Sequence, residues 1–265
     1  MTESISILCN DLNLSGVLHL PKGLHNQKVP LIVLLHGFVG SKVGEHRLFV
    51  KAARKFTEKG YAVFRFDFSG CGESDGDYAD VTVTKQLSEV QAVLNYVSTL
   101  EEVDANDIIL IGHSLGGAVA SITASVDQRI RKLILWSPVA KPYEDIAAIV
   151  GEEALQIAKS KGVFDYHGFY VSQTFLEDLK NHQPLEAIRS YAGAVLIIHA
   201  EEDQDVPKEH AVHYFNSLQQ GAVVNTHYIK NANHTFASYA FEEELFEETI
   251  GWLEKSEEYS REVAL

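Results

Sequence analysis

The sequence predicts an α/β protein whose central sheet is mostly parallel. Short runs of apolar residues recur along the chain, as expected for strands that are buried on both faces of a sheet. Stretches with the 3.6-residue period of amphipathic helices separate these runs, and strands that alternate with helices form parallel sheets covered on both faces. The chain has 265 residues, of which 46% are hydrophobic, enough to bury one substantial core. We therefore expect a single domain over residues 1–265.

The first residues depart from this alternation and predict an antiparallel hairpin. Apolar and polar residues alternate over 4–8 and again over 14–20, which is the period of two of a strand with one buried face. Asn10 and Asp11 lie between these stretches, and both residue types favour tight turns.

The buried strands and the helices then follow in order. The apolar runs predicted as strands are 31–35, 62–66, 108–111, 133–136 and 195–198. The stretches predicted as helices between and after them include 47–59, 85–97, 117–125 and 210–218. Helices are therefore expected on both faces of the sheet.

The segment from about 138 to 188 departs from this alternation of strands and helices. It contains no run typical of a buried strand, but it has two amphipathic stretches, 144–161 and 169–180, separated by a short segment with a glycine at each end. We interpret the segment as a helical insertion after one strand, and predict that it forms a lid.

Charge and composition restrict the partners of the protein. The chain has 22 basic and 37 acidic residues, a net charge of −15, and its long-range field repels phosphate backbones and anionic lipid surfaces. We therefore expect neither nucleic acid nor a membrane as a partner, whereas a homodimer is left open. The first residues do not resemble a signal peptide, and no apolar run has the length of a membrane helix. We expect a soluble cytoplasmic protein.

A nucleophile motif follows one of the predicted strands. Residues 112–116 read Gly-His-Ser-Leu-Gly, which matches G-x-S-x-G between a strand and a helix, the setting that this motif requires. A nucleophile on a sharp turn leaves no room for bulky residues at Gly112 and Gly116. The helix that follows directs its N-terminus at the serine, which favours developing negative charge. We predict that Ser114 is the nucleophile.

A serine hydroxyl needs a base to take its proton. Of the twelve histidines, His234 is the best candidate because it lies in a polar loop between a strand-like stretch and the C-terminal helix. The order serine, acid, histidine along the chain also fits a triad on such a fold. We interpret the histidines at 36, 113 and 199 as structural, and those at 210 and 213 as surface residues.

The acid of the triad is expected in the loop after the strand 195–198. Residues 199–207 read His-Ala-Glu-Glu-Asp-Gln-Asp-Val-Pro. A carboxylate in this loop would accept a hydrogen bond from the imidazole and fix its tautomer. Glu202, Asp203 and Asp205 all qualify, and spacing alone does not choose among them.

These segments together resemble the α/β-hydrolase fold. More closely, the chain is similar to bacterial cinnamoyl and feruloyl esterases over nearly its whole length, in segments 35–38, 65–76, 111–117, 168–170 and 233–236. The acid loop of that family reads G-x-x-D-x-x-V-P, so the resemblance places the acid at Asp203. The sequence departs from the family at Ala200, where glycine is usual, and at Leu115, where these feruloyl esterases commonly have glutamine.

The resemblance also implies roles for residues outside the triad. The backbone N–H groups of Phe38 and Leu115 would form the oxyanion hole. In the lid, Asp145 and Tyr170 match residues that contact the hydroxyl groups of the substrate ring, and Tyr166 is a third candidate for that contact. No metal or cofactor is implied, and the expected partner is a small-molecule ester substrate.

The sequence therefore predicts a serine carboxylic ester hydrolase that acts on hydroxycinnamoyl esters through an acyl-enzyme. A short-chain carboxylesterase, a monoacylglycerol lipase or a serine peptidase would use the same triad, and only the pocket distinguishes them. A non-catalytic ligand-binding protein of this fold would typically lack a triad member, whereas candidates for all three are present here.

Overall fold

The computed structural model describes residues 1–24, 27–218 and 223–263, with side chains described up to residue 256. The strands are β1 (Thr2–Cys9), β2 (Leu12–His19), β3 (Val29–Leu35), β4 (Ala62–Phe66), β5 (Val103–His113), β6 (Ile130–Trp136), β7 (Val163–Tyr166), β8 (Phe169–Ser172), β9 (Ala194–Ala200) and β10 (Val224–Ile229). The helices are α1 (Leu48–Glu58), α2 (Val83–Val97), α3 (Leu115–Val126), α4 (Pro142–Val150), α5 (Glu152–Lys161), α6 (Gln173–Leu179), α7 (Pro184–Ala187), α8 (Glu209–Ser217) and α9 (Tyr239–Val263).

Eight of the strands in the described residues form one sheet in the order β1-β2-β4-β3-β5-β6-β9-β10. From β4 to β10 every neighbouring pair is parallel, whereas β2 pairs antiparallel with both β1 and β4. Asn10 and Asp11 link β1 to β2 with φ angles of 48° and 63°, the left-handed conformation that a two-residue hairpin turn requires. The mostly parallel sheet with an N-terminal hairpin is thus confirmed.

The sheet separates two hydrophobic cores. In β5, Ile108 and Leu110 face a core formed with α2, α3 and the segment between β6 and β9. Ile109 and Ile111, which alternate with them, face a second core formed with α1 and α9. Both faces of the strand are therefore fully buried, and each such side chain contributes about 1.5–3 kcal/mol relative to its exposed state. This explains why the strand sequences are continuously apolar.

The segment between β6 and β9 differs from the two long helices that the sequence predicts. Gly151, with φ 81°, divides the first predicted helix into α4 and α5. The second begins as strand β8, which pairs antiparallel with β7, and only then continues as α6, where the Ser172 hydroxyl accepts a hydrogen bond from the N–H of Phe175 at 3.1 Å. Gly162 ends α5, and Gly168 lies in the turn between β7 and β8. Both have positive φ angles. The insertion is therefore mixed, because glycines interrupt the helical period.

No helix in the described part of the chain is long and apolar enough to cross a membrane.

Candidate active site

Ser114 lies on a strained turn between β5 and α3. Its φ and ψ angles are 57° and −125°, a conformation that costs an L-residue about 1–3 kcal/mol. A Cβ atom on Gly112 would lie 2.3 Å from the carbonyl oxygen of Gly116, and one on Gly116 would lie 2.3 Å from that of Leu35. The steric reason for both glycines is therefore confirmed.

Backbone hydrogen bonds hold this turn in place. The N–H of Ser114 donates to the carbonyl of Trp136 at 3.0 Å, and the Ser114 carbonyl accepts from Gly117 and Val139 at 2.9 and 3.0 Å. The turn is thus fixed to β6 and to the chain that follows it. These bonds help to offset the backbone strain.

His234 and Asp203 are directly hydrogen-bonded. The distance from His234 Nδ1 to Asp203 Oδ2 is 2.7 Å, and the Asp203 side chain is fully buried. Its other oxygen, Oδ1, accepts from the N–H groups of Asp205 at 3.0 Å and Val206 at 2.8 Å. Glu202 and Asp205, the two alternatives that the sequence leaves open, are exposed. Of the three carboxylates, the structure thus brings Asp203 to the imidazole.

The pKa of the Asp203 carboxyl reflects two opposing effects. Burial disfavours the charged form, but the hydrogen bond and the charge of His234, together with the Val206 N–H, outweigh it and lower the pKa below its ordinary value. Asp203 is therefore ionised at neutral pH. An ionised carboxylate is the state that orients an imidazole and stabilises its protonated form.

Three other histidines support this arrangement. His113 Nε2 contacts the carbonyl oxygen of His234 at 2.9 Å, and burial, together with the charge of His234, lowers the pKa of His113 to about 3. His199 is fully buried, with Nε2 3.1 Å from the Val206 carbonyl and 3.6 Å from Asp203 Oδ2. His36 accepts a hydrogen bond from the N–H of Phe68 at 3.1 Å. These three are structural, as the sequence predicts.

The chain at Gly37 and Phe38 passes directly beside the nucleophile. A Cβ atom on Gly37 would lie 2.8 Å from Ser114 Cβ and 3.2 Å from Ser114 Oγ. Leu115 is the first residue of α3, so its N–H has no partner within the helix. The two backbone N–H groups predicted for an oxyanion hole therefore belong to segments that both adjoin Ser114.

A buried ion pair that sequence reasoning missed anchors the loop that carries Gly37 and Phe38. Lys42 donates to Asp67 from both its backbone N–H and its Nζ, each at 2.5 Å, and Nζ also contacts Glu73 at 2.7 Å. Lys42 and Asp67 are both buried. A lysine in a polar loop has no local signal that predicts burial, so only the structure identifies this anchor.

Ser114 and His234 share a cleft of about 520 Å³. Phe169 from the insertion and His46 from the segment before α1 also line it. Phe38 also lines the cleft. Its ring stacks on the fully buried ring of Phe175, with 5.7 Å between the ring centroids, and its centroid lies 5.2 Å from that of the Tyr166 ring. The walls of the site thus combine polar groups with flat apolar surface.

The structure does not bring Asp145 and Tyr170 to this cleft. Tyr170 is 58% exposed, because side chains alternate along β8 and its neighbour Phe169 takes the cleft side. Asp145 is buried, where Oδ2 accepts from the Lys141 N–H at 3.0 Å and lies 3.5 Å from His210 Nδ1. Burial raises the pKa of Asp145 to about 6.

The interpretation of His210 as a surface residue is wrong. His210 is only 3% exposed and accepts a hydrogen bond from the Ala140 N–H at 3.2 Å. Burial lowers the pKa of His210 to about 4, with smaller contributions from the charges of His199 and His213. The face of α8 that carries His210 packs against the start of the insertion. Helical periodicity alone does not predict this contact.

The site also presents three possible metal ligands. Oxygen and nitrogen atoms of Asp203, Asp205 and His234 lie within 4.8 Å of one another. Asp203 and His234 already satisfy each other, however, and Asp205 is exposed. This donor set is therefore better suited to orienting the imidazole than to holding an ion.

The chain has the α/β-hydrolase fold. A sequence model described as the α/β-hydrolase fold matches residues 30–160. The structure of Est1E from Butyrivibrio proteoclasticus with ferulic acid bound is similar, with a TM-score of 0.82 and 27% identity, over 95% of this chain and 98% of that one.

Curated relatives are similar over shorter regions. An uncharacterised 31.7 kDa protein of Escherichia coli is 38% identical over 114 residues, which are 43% of this chain and 38% of that protein. The mitochondrial palmitoyl-protein thioesterase ABHD10 of Mus musculus is 26% identical over 68% of this chain and 61% of its own length. The matches thus span less than two thirds of these relatives.

Proposed function

We propose that the protein is a serine carboxylic ester hydrolase in which Ser114, His234 and Asp203 form the catalytic triad. The observation that carries the proposal is the 2.7 Å hydrogen bond between His234 and buried Asp203, beside a cleft that His234 shares with Ser114. The complete set of nucleophile, base and orienting acid supports an enzyme over a non-catalytic binding protein.

The geometry supports a two-step acyl transfer. Ser114 Oγ attacks the ester carbonyl carbon while His234 takes the hydroxyl proton, and Asp203 stabilises the imidazolium that forms. The backbone N–H groups of Phe38 and Leu115 hold the oxyanion. The tetrahedral intermediate collapses as His234 gives its proton to the leaving alcohol. Water then attacks the acyl-enzyme by the same route and frees the acid.

The proposed substrates are esters of flat aromatic acids of the hydroxycinnamoyl type. Phe38 and Phe169 line the cleft and offer apolar ring surface for a planar acyl group. The likeness to Est1E, solved with ferulic acid, supports the same substrate class. Tyr166 is our candidate for contacting the ring hydroxyl. It pairs with Phe169 in the hairpin of β7 and β8, so the two side chains lie on the same face of the hairpin, and Phe169 lines the cleft.

A general short-chain carboxylesterase is the second candidate. The positions of Asp145 and Tyr170 favour it, since neither side chain lies in the cleft, where it could bind a ring hydroxyl. The Leu115 side chain is buried in the core. The position at which these feruloyl esterases commonly have glutamine therefore supplies no polar side chain to the site.

An ester panel tests the proposal and separates the two candidates. We expect the purified protein to hydrolyse methyl ferulate and methyl caffeate with higher kcat/KM than short aliphatic esters. A fluorophosphonate probe should label Ser114, and Ser114→Ala should lose both labelling and turnover. Labelling that survives in this variant would exclude Ser114 as the nucleophile. Turnover of aliphatic esters alone would leave the general carboxylesterase.

The lid contact has its own test. Tyr166→Phe should lower kcat/KM for ferulate esters. The loss should correspond to about 1–3 kcal/mol in activation free energy, the usual effect of an unpaired polar group in a closed site. Tyr170→Phe is the matched control, because this exposed ring should leave the value unchanged. Equal losses in both variants, or a loss in Tyr170→Phe alone, would contradict the assignment of Tyr166.

A further inference from the structure

His46 contacts hydrogen-bond acceptors through both of its ring nitrogens. Nδ1 lies 2.6 Å from Oε1 of Glu242 in α9, and Nε2 lies 2.9 Å from the carbonyl oxygen of Thr235. Thr235 directly follows His234 in the chain, and both line the cleft together with His46. His46 thus connects the wall of the cleft to the loop 233–236, which we call the base loop.

The contact with Thr235 requires a donor on the ring, because a carbonyl oxygen can only accept. Nε2 therefore donates to the base loop. On the other side of the ring, the buried Glu242 side chain that contacts Nδ1 is also bound through both oxygens by the ammonium group of Lys51. The ring is thus held between the base loop and α9.

The backbone around His46 is strained. His46 and Arg47 have φ angles of 39° and 67°, and each such residue costs about 1–3 kcal/mol. The two strained residues lie directly before the first turn of α1, and the His46 ring contacts the base loop. Strained residues persist where the surrounding contacts determine them, and they are concentrated at functional sites.

Two neighbouring carbonyls of the base loop each contact an imidazole. The His234 carbonyl contacts Nε2 of His113 at 2.9 Å, and the Thr235 carbonyl contacts Nε2 of His46 at the same distance. Asp203 orients the His234 ring, whereas these two contacts restrain the backbone from which that ring projects. The position of the ring relative to Ser114 therefore depends on both.

We propose that His46 is a positioning residue for the general base. It ties the base loop to Glu242, and through Glu242 to α1 and α9, so that His234 keeps its place beside Ser114 during the reaction. The inference rests on the proposed function, since it takes His234 as the base of an ester hydrolase. His46 itself makes no bond to substrate and transfers no proton.

Steady-state kinetics and thermal unfolding of variants test this role. His46→Ala removes both contacts and should lower kcat by about 10- to 100-fold, the range expected when a catalytic group is misplaced by up to about 1 Å. KM should change by less than about 3-fold, because His46 does not bind the acyl group. In His46→Gln the side-chain amide can still donate to the Thr235 carbonyl, so its kcat should lie between those of His46→Ala and the wild type.

Lys55→Met is the matched control. It removes the ion pair between Lys55 in α1 and Glu243 in α9, but it leaves Glu242 and both contacts of His46 in place. We expect an unchanged kcat, with a Tm at or slightly below the wild-type value. If His46→Ala keeps the wild-type kcat, or if Lys55→Met lowers kcat as much as His46→Ala does, His46 does not position the base.

The outcome separates this inference from the proposed function. A wild-type protein that hydrolyses no ester and is not labelled at Ser114 overturns the proposed function, and this inference with it. An active wild type with an equally active His46→Ala variant overturns only the role of His46. If His46→Ala does not fold, the kcat of folded His46→Gln decides, and a wild-type value in that variant overturns the inference.

Discussion

Replacing Asp203 by asparagine tests the orientation of the general base most directly. Two backbone N–H groups, from Asp205 and Val206, point at Oδ1 of Asp203, while Oδ2 faces His234. An asparagine here keeps its carbonyl oxygen towards the two N–H donors, so its NH₂ group faces Nδ1 of His234. That NH₂ donates to Nδ1 and leaves the proton on Nε2. The imidazole then cannot accept the proton of Ser114.

The expected loss follows from this change of tautomer. In a triad, such a substitution typically lowers kcat by about 10⁴-fold, which corresponds to about 5.4 kcal/mol in the activation free energy. Asp205→Asn is the matched control, because Asp205 is exposed and surface substitutions change free energies by about 0.5 kcal/mol or less. The assay is kcat on the best ester of the panel, with folding of both variants verified by circular dichroism. A larger loss in Asp205→Asn than in Asp203→Asn would refute the reasoning.

Two further predictions concern stability. Gly116→Ala should destabilise the fold by about 1–3 kcal/mol or more, since its Cβ would lie 2.3 Å from the Leu35 carbonyl oxygen. Gly251→Ala in α9, where a Cβ meets nothing within 4 Å, should leave the free energy of unfolding nearly unchanged, and urea denaturation compares the two variants. Asp145→Asn should change the pH dependence of stability. Because the pKa of Asp145 is raised from 3.8 to about 6, the folded wild type holds this proton more tightly than the unfolded chain, and the resulting stability is lost as pH rises from about 4 to about 6. Near pH 8 the free energy of unfolding of the asparagine variant should therefore exceed that of the wild type by about 1–2 kcal/mol, after allowance for partial solvent screening. Near pH 4 the two free energies should match. A parallel pH dependence in both proteins would show that Asp145, which faces His210, is not the titrating group.

The regular part of the fold could be predicted because its signals are local. In β5 every residue from Ile108 to Ile111 is apolar because each face of the strand meets its own core. The hairpin turn at Asn10 and Asp11 was predictable for a similar reason, since these residue types tolerate positive φ angles. In the insertion the same reasoning failed, because glycines ended the helical period and a short hairpin formed in its place.

The lid residues show how a shift of one position changes an interpretation. Phe169 and Tyr170 are neighbours in β8, and the period of two sends one to the cleft and the other to solvent. The sequence identifies both as aromatic residues of the insertion. It does not indicate which of them faces inward, because that depends on how the hairpin packs on the body of the protein.

The sequence by itself determined the fold class, the strained turn at Ser114 and the loops in which an acid and a base would lie, since each follows from a pattern within about ten residues. Only the tertiary structure decided that Asp203 rather than Asp205 contacts His234, and that His46 joins Thr235 to Glu242. These contacts connect residues from 31 to 196 positions apart. Their geometry depends on how whole elements pack, and no local periodicity records that packing.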